Sequence, residues 1–178
     1  MISDLKINKI AVIGQGYVGL PLAIELAKFY SVTGFDINEN RVLELNRGRD
    51  HTLEANLSDL KNVIDQRVKT GFITGYLASS NIEDIKQANT YIVTVPTPID
   101  EFNAPELNPL KKASKMIAQI LKKGDVVIYE STVYPGCTEE VCIPILEKES
   151  GLRFNYDFFA GYSPERIVPG DKVNTLKT

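Results

Sequence analysis

The chain has 178 residues, with 20 Lys and Arg against 23 Asp and Glu and a formal net charge of −3, so it lacks the basic excess that nucleic-acid binding calls for. Its 43% apolar and 24% charged content is that of a globular chain long enough to bury a full core. No apolar run approaches the roughly 20 residues of a membrane span, and the opening Met1-Ile-Ser-Asp-Leu-Lys6 has no signal-peptide pattern.

Ile7 to Ile13 reads as a first, buried strand, apolar and partly β-branched, ended by Gly14. Gly14, Gly16 and Gly19 follow in the G-x-G-x-x-G spacing, and a helix is expected from about Tyr17 to Tyr30. Each glycine has a separate reason. Gly14 permits the tight turn, Gly16 lets a pyrophosphate approach the backbone, and Gly19 lets the helix pack closely on the strand. The helix start offers free N–H groups and partial positive charge to phosphates. Pro21 falls in the first turn or so, where a missing N–H costs little. Ser31 to Asp36 is the second strand. Its last residue lies about 20 positions beyond the glycines, where a carboxylate can bond both ribose hydroxyls and repel a 2′-phosphate. The pattern describes a dinucleotide pocket that favours NAD over NADP. Arg41, on the next helix, is placed to stack over an adenine, to face solvent, or to serve a 2′-phosphate.

That next helix is expected over Asn38–Arg47, capped by Asn38. A loop over 48–56 contains His51, the sole histidine, readable as an exposed linker residue or as a general base. A helix over Ser58–Lys69 ends at Gly71, and Leu77–Ser79 forms a short strand. A short helix over Ile82–Gln87 precedes a strand over Thr90–Val95, stopped by Pro96-Thr-Pro98. After a loop over Asp100–Glu106, a long amphipathic helix runs from Leu107 to Lys122 and ends before Gly124. Asp125–Tyr129 is a strand, Cys137–Ser150 a helix, and Asp157–Tyr162 the last strand. Cys137 and Cys142 suit a reducing cytoplasm. Five residues apart on a helix, they are expected on different faces and unbridged. Cys137 at the helix start is either a small packing residue or a thiol of lowered pKa. No set of residues is put forward as a metal site.

Strands alternating with helices imply parallel pairing and right-handed crossovers. The expectation is one α/β domain over 1–178: a doubly wound, Rossmann-type parallel sheet of about six strands with helices on both faces. In such a sheet the ligand sits beyond the carboxyl ends of the strands. The candidates are Thr94-Val-Pro-Thr-Pro98 after the fourth strand, Glu130-Ser-Thr-Val-Tyr-Pro-Gly136 after the fifth, and Tyr162-Ser-Pro-Glu-Arg166 after the sixth.

Gly-Gln-Gly-Tyr-Val-Gly-Leu-Pro-Leu-Ala, Val-Pro-Thr-Pro, Glu-Ser-Thr-Val-Tyr-Pro-Gly and Ser-Pro-Glu-Arg, in this order, resemble the UDP-glucose/GDP-mannose dehydrogenase family over essentially the whole chain. The match is to that family's N-terminal NAD-binding domain. Ser-Pro-Glu-Arg-Ile-Val-Pro-Gly-Asp171 is similar to the branch that oxidises UDP-N-acetylhexosamines such as UDP-N-acetylglucosamine for capsule or O-antigen polysaccharide. The resemblance implies oxidation of a sugar C6 hydroxymethyl to a carboxylate with reduction of two NAD+, by way of a cysteine thioester. It implies that Gly14, Gly16, Tyr17, Val18, Gly19, Asp36, Arg41, Val95, Pro96, Thr97 and Thr132 line the NAD site. It further implies that Thr132 orders an active-site water and that Glu165 acts on water in thioester hydrolysis. UDP-glucose enzymes carry a second glutamate four positions after the residue matched by Glu165. Here that position is Pro169, which turns the expectation away from UDP-glucose.

The family's Gly-rich cysteine motif and its lysine and asparagine pair, which lie beyond a long central helix, do not occur in this sequence. The chain therefore reads as a fragment that binds NAD without turning over. A UDP-sugar substrate and a homodimer belong to the full-length protein, with no membrane partner and a cytoplasmic location expected. Two other readings stay open. One is a β-hydroxyacid or 6-phosphogluconate type dehydrogenase domain. The other is a non-catalytic NAD-binding module.

Overall fold

The computed structural model describes residues 9–98 and 105–163. Six strands make one parallel sheet: β1 (Lys9–Ile13), β2 (Ser31–Phe35), β3 (Gly75–Ser79), β4 (Thr90–Val93), β5 (Val126–Tyr129) and β6 (Phe159–Tyr162), in the order β3-β2-β1-β4-β5-β6. The helices are α1 (Gly19–Ala27), α2 (Glu39–Asn46), α3 (Leu57–Lys69), α4 (Asn108–Ala118) and α5 (Ile143–Ser150). The chain winds outward from β1 to β3, then returns to the other side of β1 and winds outward again. β1 therefore pairs with both β2 and β4, Ile13 lying beside Phe35 on one side and Val93 on the other. The reversal opens a crevice at the carboxyl ends of β1 and β4, the place where an open α/β sheet holds its ligand. This is the doubly wound sheet expected from the alternating pattern.

Strand side chains alternate between faces, and each face has its own core. Ile10, Val12, Val32 and Ile92 pack with Leu20, Ala23, Ile24, Leu45, Leu60 and Val63 of α1, α2 and α3. Ala11, Ile13, Tyr91, Val93, Val127 and Tyr129 pack with Leu110, Ile117 and Leu146 of α4 and α5. Both faces are covered, which explains why β1 and β4 read as continuous apolar runs rather than alternating ones.

Helix starts follow the sequence closely. Asn38 caps α2 by accepting from the Asn40 and Arg41 amides, and Asn56 caps α3 by accepting from Ser58 and Asp59. Several ends differ from expectation. Helix α1 is shorter than 17–30, and α4 stops at Ala118, where Gln119 and Ile120 donate three residues back to Met116 and Ile117 and tighten the last turn. Ile82–Ile85 is a 3₁₀ turn rather than a helix to Gln87, and β4 ends at Val93, two residues early.

The expected helix over 137–150 is not uniform. Thr138–Cys142 forms a π-helical turn that leads into α5. Pro144 supplies the cause: it has no N–H for the carbonyl four residues back, and its ring crowds that carbonyl, so the preceding turn widens. The wider turn brings residues five apart towards one face. Cys137 and Cys142, expected on different faces, are both fully buried, unbridged, and in contact with each other. Burial pushes the Cys142 thiol up to about 11 and also raises that of Cys137, the opposite of an activated helix-start thiol.

Candidate functional site

The turn between β1 and α1 is built as the three glycines suggest. Gly14 adopts φ +97°, and a Cβ there would stand 3.1 Å from the Thr94 carbonyl oxygen. A Cβ on Gly19 would overlap the Gly14 carbonyl oxygen and Thr94 Oγ1, so α1 sits against the end of β1 only because Gly19 has none. Among the described residues, a Cβ on Gly16 would meet no atom within 4 Å: Gly16 faces open space there, the side from which a ligand would come. The Gly16, Tyr17 and Val18 amides donate to no other described residue, leaving the α1 N-terminus with donors for an anion. Tyr17 is about half exposed and Val18 half-buried.

Asp36 follows the end of β2 and faces this turn. Its Oδ2 accepts from the Gln15 amide at 2.8 Å and its Oδ1 from the Asn38 amide at 2.9 Å. Each oxygen keeps a further lone pair, so the half-buried carboxylate can still take ribose hydroxyls. Ile37, beside it, is 87% exposed and offers a flat apolar contact of the kind an adenine ring takes.

A second layer beneath the turn was not visible in the motif. The variable residue between the first two glycines, Gln15, is buried. Its Nε2 donates to the Val12 carbonyl at 2.9 Å, and its Oε1 accepts from Tyr76 Oη at 2.9 Å. Burial holds the Tyr76 hydroxyl far above its ordinary pKa, so it remains a donor. Room for this pair comes from Gly34 on β2, where a Cβ would stand 2.5 Å from both Gln15 Oε1 and Tyr76 Oη. The only hint in the sequence is the glycine between Val32-Thr33 and Phe35 within a strand, a mark of close approach.

Arg41 neither faces solvent nor lies free to stack on a base. It is 5% exposed, and its guanidinium is engaged inside the protein. Nε donates to the Gln15 carbonyl at 2.9 Å, Nη2 lies 2.8 Å from Asp50 Oδ1, and Nη1 lies 3.2 Å from Glu44 Oε2. Asp50 is itself a hub: Oδ1 also accepts from the Thr52 amide and hydroxyl, and Oδ2 from the Glu54 and Ala55 amides. Burial alone would raise the Asp50 carboxyl, but these donors outweigh it and hold it below its usual range. Glu44 is lowered for the same kind of reason, with hydrogen bonds from His51 and Arg41 overcoming its desolvation. His51 Nδ1 lies 2.6 Å from Glu44 Oε2 and 3.3 Å from Arg41 Nη1. The histidine thus belongs to this cluster at the β2 side of the site, far along the sheet order from β5 and β6.

At the other side of the crevice, the loops after β4 and β5 are tied to each other. Thr97 Oγ1 donates to the Thr132 carbonyl at 2.6 Å, and Ser131 Oγ to the Val95 carbonyl at 2.6 Å. Thr94 Oγ1 lies 2.9 Å from the Gly14 carbonyl and 3.0 Å from that of Ile13. Val95, Pro96, Thr97 and Thr132 are therefore held together at one rim, with the Thr132 residue exposed. Glu165 and Arg166 lie outside the described residues. Among the described residues, no group of three His, Cys, Asp or Glu is arranged to hold a metal, and no helix is long and apolar enough to cross a membrane.

Comparison with known proteins agrees with this geometry. Residues 8–178 match the NAD binding domain of the UDP-glucose/GDP-mannose dehydrogenase family. The chain is 57% identical over 174 residues to a UDP-N-acetyl-D-glucosamine 6-dehydrogenase of Pseudomonas aeruginosa, covering 98% of this chain and 39% of that protein. It is 53% identical to an enzyme of the same name from Salmonella typhi, covering 94% of this chain and 37% of the relative. Among solved structures, a UDP-D-ManNAc dehydrogenase from Pyrococcus horikoshii superposes with a TM-score of 0.80 at 35% identity, covering 91% of this chain and 37% of the other. The chain thus spans about two-fifths of the length of the relatives it matches.

Proposed function

Because the chain belongs to the UDP-glucose/GDP-mannose dehydrogenase family and matches its NAD-binding domain, we propose that it is the cofactor half of an enzyme that oxidises the C6 hydroxymethyl of a UDP-N-acetylhexosamine. UDP-N-acetylglucosamine is the substrate that the relatives' names favour. The observation that carries the reading is the juxtaposition of the open Gly16 face, the Gly16, Tyr17 and Val18 amides ahead of α1 and the Asp36 carboxylate at the adjacent ends of β1 and β2.

NAD+ bound there would supply a hydride acceptor, and the conversion of an alcohol to a carboxylate releases two hydrides. The protein's own part is binding and orientation. The α1 N-terminus receives the pyrophosphate, with Gly16 giving it room. Asp36 accepts from the adenosine ribose and disfavours a 2′-phosphate. The tied rim of Val95, Pro96, Thr97 and Thr132 bounds the cofactor on the side away from Asp36, and ordering of an active-site water by Thr132, an exposed residue, belongs to the same proposal. The role of Glu165 in hydrolysis is part of the same proposal. So are the cysteine nucleophile expected from outside this sequence and the dimer of the full-length protein.

Calorimetric titration with NAD+ and NADP+ tests the reading. The expected result is NAD+ binding with NADP+ much weaker, and a loss of about 1.5–3 kcal/mol on Asp36→Ala, the worth of hydrogen bonds to a charged acceptor. Absence of NAD+ binding by the folded chain would overturn it.

A further inference from the structure

Asp36 is not the only group near the ribose site with a bearing on a 2′-phosphate. Arg41 and Asp36 grip the same residue from its two ends: Asp36 Oδ2 takes the Gln15 amide, and Arg41 Nε gives to the Gln15 carbonyl. A guanidinium is thus fixed within one residue's span of the carboxylate that meets the ribose. It is held there by two further carboxylates. Asp50 Oδ1 is 2.8 Å from Nη2 and Glu44 Oε2 is 3.2 Å from Nη1, and the Asp50 side chain is wholly buried. Three of the guanidinium nitrogens are therefore spoken for: one turned to the glycine turn, two to carboxylates. Because a trans peptide sets its N–H opposite its C=O, the bond from Arg41 to the Gln15 carbonyl also turns the Gly16 N–H away from Arg41.

We propose that Asp50, seconded by Glu44, is a specificity-determining and positioning residue. By holding Arg41 on the Gln15 carbonyl, it orients the glycine turn for a pyrophosphate and withholds from a 2′-phosphate the cation that shares Gln15 with Asp36. Selection of NAD+ over NADP+ then has two tiers: a carboxylate that repels the phosphate, and a carboxylate that keeps a guanidinium from welcoming it. The inference rests on the assignment of the Asp36 end of the site to the adenosine ribose.

The test is titration of NAD+ and NADP+ into the parent chain and into Asp36→Ser, Asp36→Ser/Asp50→Asn and Asp36→Ser/Glu44→Gln variants, each checked for folding by circular dichroism. Asp36→Ser alone is expected to gain only a few-fold in NADP+ affinity, since the guanidinium stays held. Adding Asp50→Asn is expected to gain about a further tenfold or more for NADP+ but not for NAD+, as befits a released charged donor. Adding Arg41→Ala to that pair should erase the gain. A general loosening of the fold would weaken both cofactors together and leave their ratio unchanged. If Asp50→Asn does not fold, the Glu44→Gln pair decides: a rise in the NADP+ to NAD+ affinity ratio supports the proposal and an unchanged ratio overturns it. An unchanged ratio in variants that still bind NAD+ overturns the inference while leaving the cofactor site standing. Failure of the parent to bind NAD+ would instead remove the site on which it rests.

Discussion

At the scale of single residues, the three glycines of one motif do different physical work, and substitution can separate them. Gly16→Ala meets no atom of the described residues within 4 Å, so the variant is expected to keep the parent's stability while losing affinity for NAD+ through a methyl in the pyrophosphate's path. Gly19→Ala forces a methyl into the Gly14 carbonyl and Thr94, and should cost roughly 1–3 kcal/mol or more of stability as overpacking does. Urea unfolding and calorimetric binding on both variants would check this. Equal stability losses would refute the division of roles. Asp50 makes a second residue-level prediction. Its carboxyl is held below the usual value of 3.8, so the stability it contributes is complete above that pH and is lost as the pH falls through the lower, folded value. In urea titrations the parent should therefore exceed Asp50→Asn in stability at pH 7, with the margin shrinking well below pH 4.

Single residues are also where sequence reading reached its limit. Gly14, Gly16, Gly19 and Asp36 could be placed because their requirements are local: a turn, an approach, a packing distance and a strand end. Gln15 and Tyr76 could not, because they are 61 positions apart and meet only once β3 pairs with β2. Arg41 was legible as near the site but not as buried. Its partner Asp50 lies in a loop whose course no periodicity foretells.

At the scale of elements, the Asn38 cap and the strand cores were legible, the Asn56 cap was not, and departures trace to proline and to hydrogen-bond closure at helix ends. Pro144 is the instructive case. A helix is expected over 137–150, yet the residue that cannot donate forces a π turn ahead of α5 and gathers both thiols on the buried side. Buried thiols of raised pKa are poor nucleophiles. Neither Cys137 nor Cys142 is expected to react with a chromogenic disulfide reagent in the native state, and both should react after denaturation. Fast reaction of either in the folded chain would contradict the packing of this turn.

For the whole molecule, the topological switch between β1 and β4 determines where anything can bind. It sets the glycine turn and Asp36 on one side of the crevice and the tied loops after β4 and β5 on the other. A ligand bridging both sides binds only the folded state and should stabilise it by mass action. At a concentration about 100 times its Kd, NAD+ is expected to add about 2.7 kcal/mol. For a domain of this size that is roughly 5–11 °C in Tm, at 2–4 °C per kcal/mol. A thermal-shift series with NAD+ and NADP+ would read it, and equal shifts for the two would count against Asp36 as the discriminating group.

The sequence by itself determined the class of fold, the position of the glycine turn, the acid at the end of β2 and the order of the loops that meet at the crevice. All of these follow from short-range patterns: apolar period, caps and turn residues within one supersecondary unit. Only the tertiary structure decided how that turn is supported. The buried Gln15–Tyr76 pair beneath it, the Arg41–Asp50–Glu44 clamp beside it and the Thr97–Thr132 tie across from it join residues from separate strands and loops. Buried polar groups must find partners, and where those partners come from distant segments, their identity is set by how the chain packs rather than by any local pattern.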